Sequence, residues 1–426
     1  MSSRYFALLD IGGTDLKSAL VEVGTTRLEK ISRRAIPPFI PQMGPKREVD
    51  PRAVAGACNK LLQEMLEEGD KFNGLLISGQ MGGWLLSDEK NQPITNLVSW
   101  QDLRSERKAI NGRAISDVAK ELFGKEWLAE TGNEMRAGLP VVGLFEYFGL
   151  QKPTGGKMRF HSFISWVAAA LSNNYVFSVH PTDFAASGLY QIYRKTFARD
   201  VLDRLGTELL MPSIQEDLHI VGYSGVLDCP VYCAVGDQQA SLFGAGLDGV
   251  STVVNIGTGG QVARLANEPF QDSAQVRPYF DSKYIVTKTH LPSGRALTAF
   301  LKVLRSDSLS EDDFEWMSDA AIKTETGIER DVVNFEREIL QFKSAPNFES
   351  VETIASSVIH GIVQKYVEAL ELIGHRKGSP LLFAGGVGQK MKALPILIGD
   401  ATESRVFISD TDETTLQGLA NLAAGL

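Results

Sequence analysis

The chain has 426 residues, a formal net charge of −9, 43% hydrophobic and 22% charged residues. That length exceeds one ordinary core, so two or three domains are expected, with the composition of a soluble globular protein. The acidic balance argues against broad nucleic-acid or anionic-membrane binding, although a local cationic patch can still hold a phosphate; Cys58, Cys229 and Cys233 are too few for a disulfide framework.

The opening MSSRYFALLD has neither the basic nor the apolar region of a signal peptide, and no apolar run approaches the ~18 residues of a membrane span. A reduced cytoplasm is the expected compartment. Tyr5–Asp10 and Lys17–Val23 read as strands joined by a glycine turn. Asp10 stands at the end of a buried apolar run, where a carboxylate is costly unless a ligand compensates for it. Asp50-Pro51 reads as an N-cap with proline at N1, followed by Val54, Ala55, Cys58, Leu61, Leu62, Met65 and Leu66 at helical spacing. Gly74–Ser78 is a short buried strand running into Gly79-Gln80-Met81-Gly82-Gly83. From about Ser99 to Tyr193 the pattern is mostly helical, polar and interrupted, as in a cap over a site.

Pro230–Val235 is another apolar strand, ending in Gly236-Asp237. Cys229-Pro-Val-Tyr-Cys233 lacks a matching Cys or His cluster and does not read as a metal site. The glycine-rich stretch 242–250 marks a domain junction and a hinge. Beyond it Ser251–Ile256 and Gly260–Ala266 read as strands, and 351–373 as a long helix with a broad apolar stripe ended by Gly374. Pro380–Phe383 is a last buried strand before Ala384-Gly385-Gly386. Glu413–Ala424 is a small-residue helix suited to close packing on a sheet.

Residues 8–20 (LLDIGGTDLKSAL) and 253–265 (VVNIGTGGQVARL) share one plan: apolar pair, Asp or Asn, Ile, a Gly/Thr turn, then a second strand. Such turns present backbone N–H groups in a concave array that suits phosphate oxygens. Gly12, Gly13, Thr14 and Lys17 in the first copy, and Gly257, Thr258, Gly259 and Gly260 in the second, are the candidate phosphate contacts. Asp10 repels phosphate directly and makes sense as a holder of hydrated Mg²⁺; Asn255, its counterpart, is neutral. Either turn alone is also an ordinary hairpin, and neither fits the Walker or dinucleotide pattern. Asp237, leaving a buried strand beside a glycine, can accept a proton from a substrate hydroxyl or cap a helix.

Taken together, the segments resemble the FGGY carbohydrate kinases over nearly the whole chain. Asp10-Ile-Gly-Gly-Thr-Asp-Leu-Lys17 is similar to that family's first phosphate motif, Asn255-Ile-Gly-Thr-Gly-Gly260 to the second, and Ala384-Gly385-Gly386 to its adenosine motif. Ser78-Gly-Gln-Met81 with Leu97-Val-Ser-Trp-Gln-Asp-Leu-Arg104 resembles the sugar-side segments, Pro181–Ser187 a further family segment, and Gly236-Asp-Gln-Gln-Ala-Ser241 the catalytic-base motif. The resemblance implies an α/β protein of two ribonuclease-H-like (actin-like ATPase) domains flanking a central catalytic cleft, residues 1–244 and 245–426. The first would carry the sugar side, the first phosphate turn and the catalytic aspartate, and the second the other phosphate turn and the adenosine site. It implies ATP and Mg²⁺ as cofactors, a sugar or polyol as acceptor, Asp237 as base and Asp10 on the metal. Gly385 and Gly386 would lie against the adenosine, and Gln80, Met81, Trp100 and Gln238 would line the sugar pocket. No nucleic-acid or membrane partner is expected; monomer and homodimer stay open.

The chain departs from the family at Gly13 and Asp15, where Thr and Ser are usual, at Gly82, where a polar residue often follows Met81, and at Val387–Lys390. LVSWQDLRS, GDQQAS and PYFDSKYIVTKTHLPSG are most similar to sedoheptulokinases, with xylulose- and glycerol-type kinases and a non-catalytic sensor as alternatives.

Overall fold

The computed structural model describes residues 4–124, 126–151, 157–205, 209–247, 252–257, 259–269, 274–304, 309–323, 333–336, 339–342, 350–409, 411 and 413–426. The chain divides into two compact units. The first comprises Met1–Gly244, Gln275–Tyr284 and Glu413–Leu426, and the second Ala245–Ala274 and Ile285–Asp412.

The first unit opens on β1 (Arg4–Ile11), β2 (Asp15–Glu22) and β3 (Leu28–Ala35), followed by α1 (Pro51–Glu64) and β4 (Lys71–Gly79). After a long cap region come α2 (Phe163–Ala170), β5 (Ser172–Asn173), β6 (Ile220–Ser224), β7 (Cys229–Tyr232), β8 (Val235–Gly236) and α3 (Asp237–Gly244). The sheet runs β5-β6-β7-β4-β1-β2-β3, with β8 also paired to β4. Asp50 caps α1 as expected, its side chain accepting the Arg52 N–H at 2.9 Å. Val54, Cys58, Leu61 and Leu62 of α1 and Ile164 and Val167 of α2 pack against Ala7, Leu9 and Ile11 of β1 and Leu75 and Ile77 of β4. These strand residues alternate, as one sheet face requires. Leu8, on the opposite face, is also fully buried, which is why β1 reads as an unbroken apolar run.

The cap differs from its helical expectation. Short helices are present, but Met158–Ser162 is a strand in a second sheet with Leu209–Leu210, Trp84–Ser87, Leu97–Val98 and Glu48–Val49. Met158 and Phe160 on that strand fill the cap core with Trp84, Leu86, Val98 and Phe184. Only Met158 and Phe160 alternate over these five residues, too short a run to stand out in a polar stretch.

The second unit contains β9 (Thr252–Ile256), β10 (Gly260–Ala266), β11 (Tyr284–Leu291, entering at Ile285), α4 (Gly294–Leu304), α5 (Glu311–Lys323), α6 (Val351–Leu372), β12 (Leu381–Ala384), α7 (Gly386–Lys390) and β13 (Val406–Ile408). Five strands of a six-stranded sheet run in the order β11-β10-β9-β12-β13. The apolar stripe of α6 buries Val358, Ile359, Ile362, Tyr366 and Leu370 in a core shared with Val254, Val286, Leu297 and Phe383. Ser350 caps α6 by accepting the Thr353 N–H at 3.2 Å, and Gly374 ends it at φ 73°.

The chain then returns to the first unit, where α8 (Thr414–Ala423) packs on α3. A Cβ on Gly418 would lie 1.9 Å from the Ala240 carbonyl oxygen, and one on Gly244 1.9 Å from that of Thr414. Only glycines permit the two helices to come so close. The boundary at Gly244/Ala245 falls inside the expected junction, of which 248–250 lie outside the described residues.

Candidate active site

In the first unit, three parallel strands end together. Asp10 of β1 pairs with Ser78 of β4, which pairs with Val235 of β8; one step further on, Ile11, Gly79 and Gly236 are aligned. Each chain then leaves the sheet at the same edge, delivering Gly12, Gln80 and Asp237. The carboxyl ends of parallel strands are where α/β folds place their ligands, because the strands there stop and their loops diverge.

Asp10 is buried, and its Oδ1 accepts the Ser78 hydroxyl at 3.0 Å. Burial pushes its pKa up to about 6, with Ser78 and Lys17 opposing the rise. Asp237 is partly exposed at the head of α3 and accepts the Gln238 N–H at 2.8 Å. Its pKa is raised to about 7 by desolvation and then by the negative charge of Asp10. Asp237 therefore heads a helix and carries a carboxyl held near neutrality. Two hard carboxylates that repel one another suit a divalent cation with oxygen preference, so the donor set fits Mg²⁺ at Asp10.

The turn after β1 is a tight hairpin in which the Gly12 N–H donates to the Asp15 carbonyl at 2.9 Å. A Cβ on Gly12 would lie 2.9 Å from that oxygen, and one on Gly13 3.7 Å from Gln101 Nε2 and 4.0 Å from Gln80 Oε1. Gln80, expected on the sugar side, donates to the Gly12 carbonyl at 3.2 Å and so braces the β1–β2 turn. Thr14 is exposed, and its hydroxyl donates to Asp15 at 3.2 Å. Lys17 forms an ion pair at 2.5 Å with Glu413, which also holds Arg33 at 2.9 Å. A phosphate must compete with Glu413 for the Lys17 ammonium.

Met81, Gly82 and Trp100 come together. A Cβ on Gly236 would meet Met81 Sδ at 2.5 Å and the Thr182 carbonyl oxygen at 2.8 Å. Gly82 has φ 80°, and a Cβ there would lie 3.3 Å from Trp100 Cβ. The departure at Gly82 thus has a steric cause: the backbone needs the left-handed region where Trp100 Cβ closes in. The Trp100 loop is fixed from behind by Asp102, which accepts the Arg47 N–H at 2.7 Å and the Arg104 Nε–H at 2.7 Å; Arg104 also reaches Glu48 at 2.5 Å. Gln238 is buried next to Asp237.

In the second unit, β9 and β10 form the matching hairpin, with Ile256 opposite Gly260 and the Gly257 N–H donating to the Gly259 carbonyl at 3.1 Å. Thr258 lies outside the described residues. A Cβ on Gly260 would sit 2.1 Å from the Tyr366 hydroxyl, so close packing dictates glycine there. Gly385, at φ 83°, lies against the same hairpin, with an added Cβ 2.5 Å from Asn255 Oδ1, whereas Gly386 is open. One cation was not foreseen. Arg295, exposed at the start of α4, has Nη2 3.9 Å from the position a Gly259 Cβ would take. Its only sequence signal is a basic residue soon after a glycine, which is too common to single out.

A further buried carboxyl also escaped the sequence reading. Asp183 accepts the Ser162 hydroxyl at 2.5 Å, its other oxygen has no hydrogen-bond partner, and burial pushes its pKa up to about 7. Cys58, Cys229 and Cys233 are buried free thiols, and among the described residues no His/Cys/Asp/Glu group of three or more is placed to hold a metal ion. No described helix is long and apolar enough to cross a membrane.

Residues 5–253 match the model of the FGGY family of carbohydrate kinases, N-terminal domain. Similar curated proteins include a glycerol kinase of Aquifex aeolicus, 26% identical over 56% of this chain and 52% of its own length. An apulose kinase of Pectobacterium atrosepticum is 26% identical over 61% of this chain and 54% of its own. The chain thus spans about half the length of the curated relatives it matches. Among solved structures, a ligand-bound xylulose kinase from Lactobacillus acidophilus superposes with TM-score 0.84 at 16% identity, covering 99% of this chain and 89% of the other. Plasmodium falciparum glycerol kinase with ADP gives TM-score 0.81 at 15% identity, with the same coverages. The architecture is accordingly the actin-like ATPase fold of those kinases, and the chain belongs to the FGGY family of carbohydrate kinases.

Proposed function

We propose that this protein transfers the γ-phosphate of ATP to a hydroxyl of a ketose or polyol, with a sedoheptulose-like acceptor as the finer reading. The observation that carries it is the Asp237 carboxyl, delivered at the same sheet edge as Asp10 and the Gly12–Thr14 turn and raised to about 7. Asp237 takes the proton of the acceptor hydroxyl as its oxygen bonds to the γ-phosphorus. The bond from that phosphorus to the β,γ-bridging oxygen breaks, and ADP leaves with the electron pair. Gly12, Gly13 and Thr14 offer N–H and O–H donors to phosphate, as do Gly257, Thr258, Gly259 and Gly260. Gly385 and Gly386 are assigned to the adenosine. Asp10 would hold Mg²⁺, which when bound supplies charge neutralisation of the polyphosphate. Met81, Trp100 and Gln238 line the acceptor side, with Gln80 shared between acceptor and turn.

The relatives' names support a small polyhydroxylated acceptor: glycerol, apulose, xylulose and, for another Lactobacillus acidophilus structure, gluconate. The heptulose reading rests on LVSWQDLRS, GDQQAS and PYFDSKYIVTKTHLPSG. A sensor without chemistry has no use for a strand-end carboxyl held near neutrality beside a buried second one. The domain roles of 1–244 and 245–426 and a cytoplasmic location belong to the same proposal. A coupled ADP-release screen over C3–C7 ketoses, aldoses and polyols tests it, with acceptor-dependent ADP as the expected result. ADP release indifferent to every acceptor would sink it.

A further inference from the structure

Residues 275–284, in which the PYFDSKYIVTKTHLPSG stretch begins at Pro278, are separated from the rest of the first unit by residues 245–274, yet they fold into that unit. Their carbonyl and aromatic groups go to the helix that presents Asp237. The Gln239 amide donates to the Pro278 carbonyl at 3.0 Å, and the rings of Tyr279 and Phe280 lie 6.4 and 5.4 Å from that of Phe243. Gln239 is wholly buried, and its Oε1 lies 2.5 Å from where a Gly236 Cβ would be, beside Met81. One side of the segment therefore sets α3.

The other side goes to the loop behind Trp100. Arg277, 8% exposed, donates to Asn133 Oδ1 and, at 3.2 Å, to Gln275 Oε1. The Val276 N–H donates to the Gly132 carbonyl at 3.2 Å, and Gly132 has no room for a Cβ, which would stand 2.1 Å from the Val276 oxygen. Asn133 in turn donates to the Ala185 carbonyl at 2.9 Å. Five residues on, Gly138 lies under Trp100, where an added Cβ would approach the Trp100 carbonyl to 2.1 Å.

We propose that Arg277 is a positioning residue that locks the Asp237 helix and the Trp100 wall into one frame, and so sets the fit of the acceptor. A guanidinium suits this task because its planar fork bonds two fixed acceptors at once. Both acceptors are neutral amide oxygens, and Gln275 lies in the segment itself, so the bond to Asn133 is the side-chain hydrogen bond by which Arg277 ties the segment to the loop. Its removal leaves buried oxygens without donors, which frees the loop and the segment to shift. The kinetic part of this inference rests on the kinase reading above; the mechanical part does not.

The test uses the full chain and the variants Arg277→Met, Arg277→Lys and Asn133→Ala. Amide hydrogen exchange reports on 131–139 and 236–243, and steady-state kinetics use D-xylulose and sedoheptulose as acceptors. Arg277→Met is expected to speed exchange in both stretches by about fivefold or more. Acceptor KM should rise roughly tenfold, the scale of one buried polar group left unpaired, with the KM for ATP within about twofold. Arg277→Lys, which retains a donor, should recover part of the KM. If Arg277→Met does not fold, Asn133→Ala breaks the same bond from the other end and carries the same expectations. Unchanged exchange in either stretch overturns the proposal, as does a KM for ATP that rises as much as that for the acceptor. If the wild type turns over neither acceptor, the kinase reading suffers and exchange alone decides the lock.

Discussion

The two hairpins repeat one backbone plan with opposite chemistry. In the first unit Asp10 faces Lys17 across the hairpin and Ser78 on the parallel neighbour; in the second, Asn255 faces Gln261 and Ala384. The likeness extends to the third strand, since β4 runs into Gly79-Gln80 and β12 into Gly385-Gly386. Charge is thus concentrated in one copy, and the other offers neutral amides, glycines and Arg295 beside its turn. A duplicated scaffold can differ this way because the backbone amides of a glycine turn are alike in both copies, while side chains alone decide where acidic groups sit.

The largest expected effect breaks the charged copy. Asp237→Asn keeps the shape and removes the base, so single-turnover phosphoryl transfer should fall about 10²–10⁴-fold with ATP binding near normal. A folded variant keeping half its rate would leave Asp237 as a helix cap only. Next is Asp10→Asn, which makes the first hairpin resemble the second. It should raise the Mg²⁺ concentration needed for half-maximal turnover by roughly tenfold and spare acceptor affinity, read from Mg²⁺ and acceptor titrations. Loss of acceptor affinity with ordinary Mg²⁺ dependence would reverse the assignment of the two sides.

The neutral copy is probed by Gly385→Ala. With φ 83° and an added Cβ 2.5 Å from Asn255 Oδ1, this change must displace the hairpin. ATP affinity, measured calorimetrically, should weaken about three- to tenfold while acceptor affinity holds.

The smallest effect concerns Asp183. Folded, its pKa stands at about 7 against 3.8 for an ordinary aspartate, so the folded state holds its proton more tightly. The stability it lends at low pH is lost as pH rises through about 7, and above that the charged carboxylate is buried at a cost. Asp183→Asn stays neutral throughout. Thermal melts between pH 5 and 8 should therefore show the variant gaining on the wild type as pH rises; parallel curves would contradict this.

The hairpins, Asp10, Gly236-Asp237 and the long helix at 351–372 were legible because each is a local pattern: an apolar run, a glycine turn, a helical stripe. Met158–Ser162 was missed because a five-residue strand in a polar cap carries little periodic signal. The Lys17–Glu413 ion pair was invisible in the sequence because its partners are 396 residues apart. Nothing local to Gln80 reveals that its amide also turns back to the Gly12 carbonyl.

By itself the sequence determined the two strand–turn–strand units, their inequality of charge and the strand-end acid, since backbone freedom and burial cost are properties of the residues in place. The tertiary structure decided which groups meet. It returned 413–426 and 275–284 to the first unit, paired Lys17 with Glu413, set Arg295 beside the second turn and wired Arg277 to Asn133. The physical reason is that close packing of small residues and pairing of buried polar groups depend on distances in space, which separation along the chain does not record.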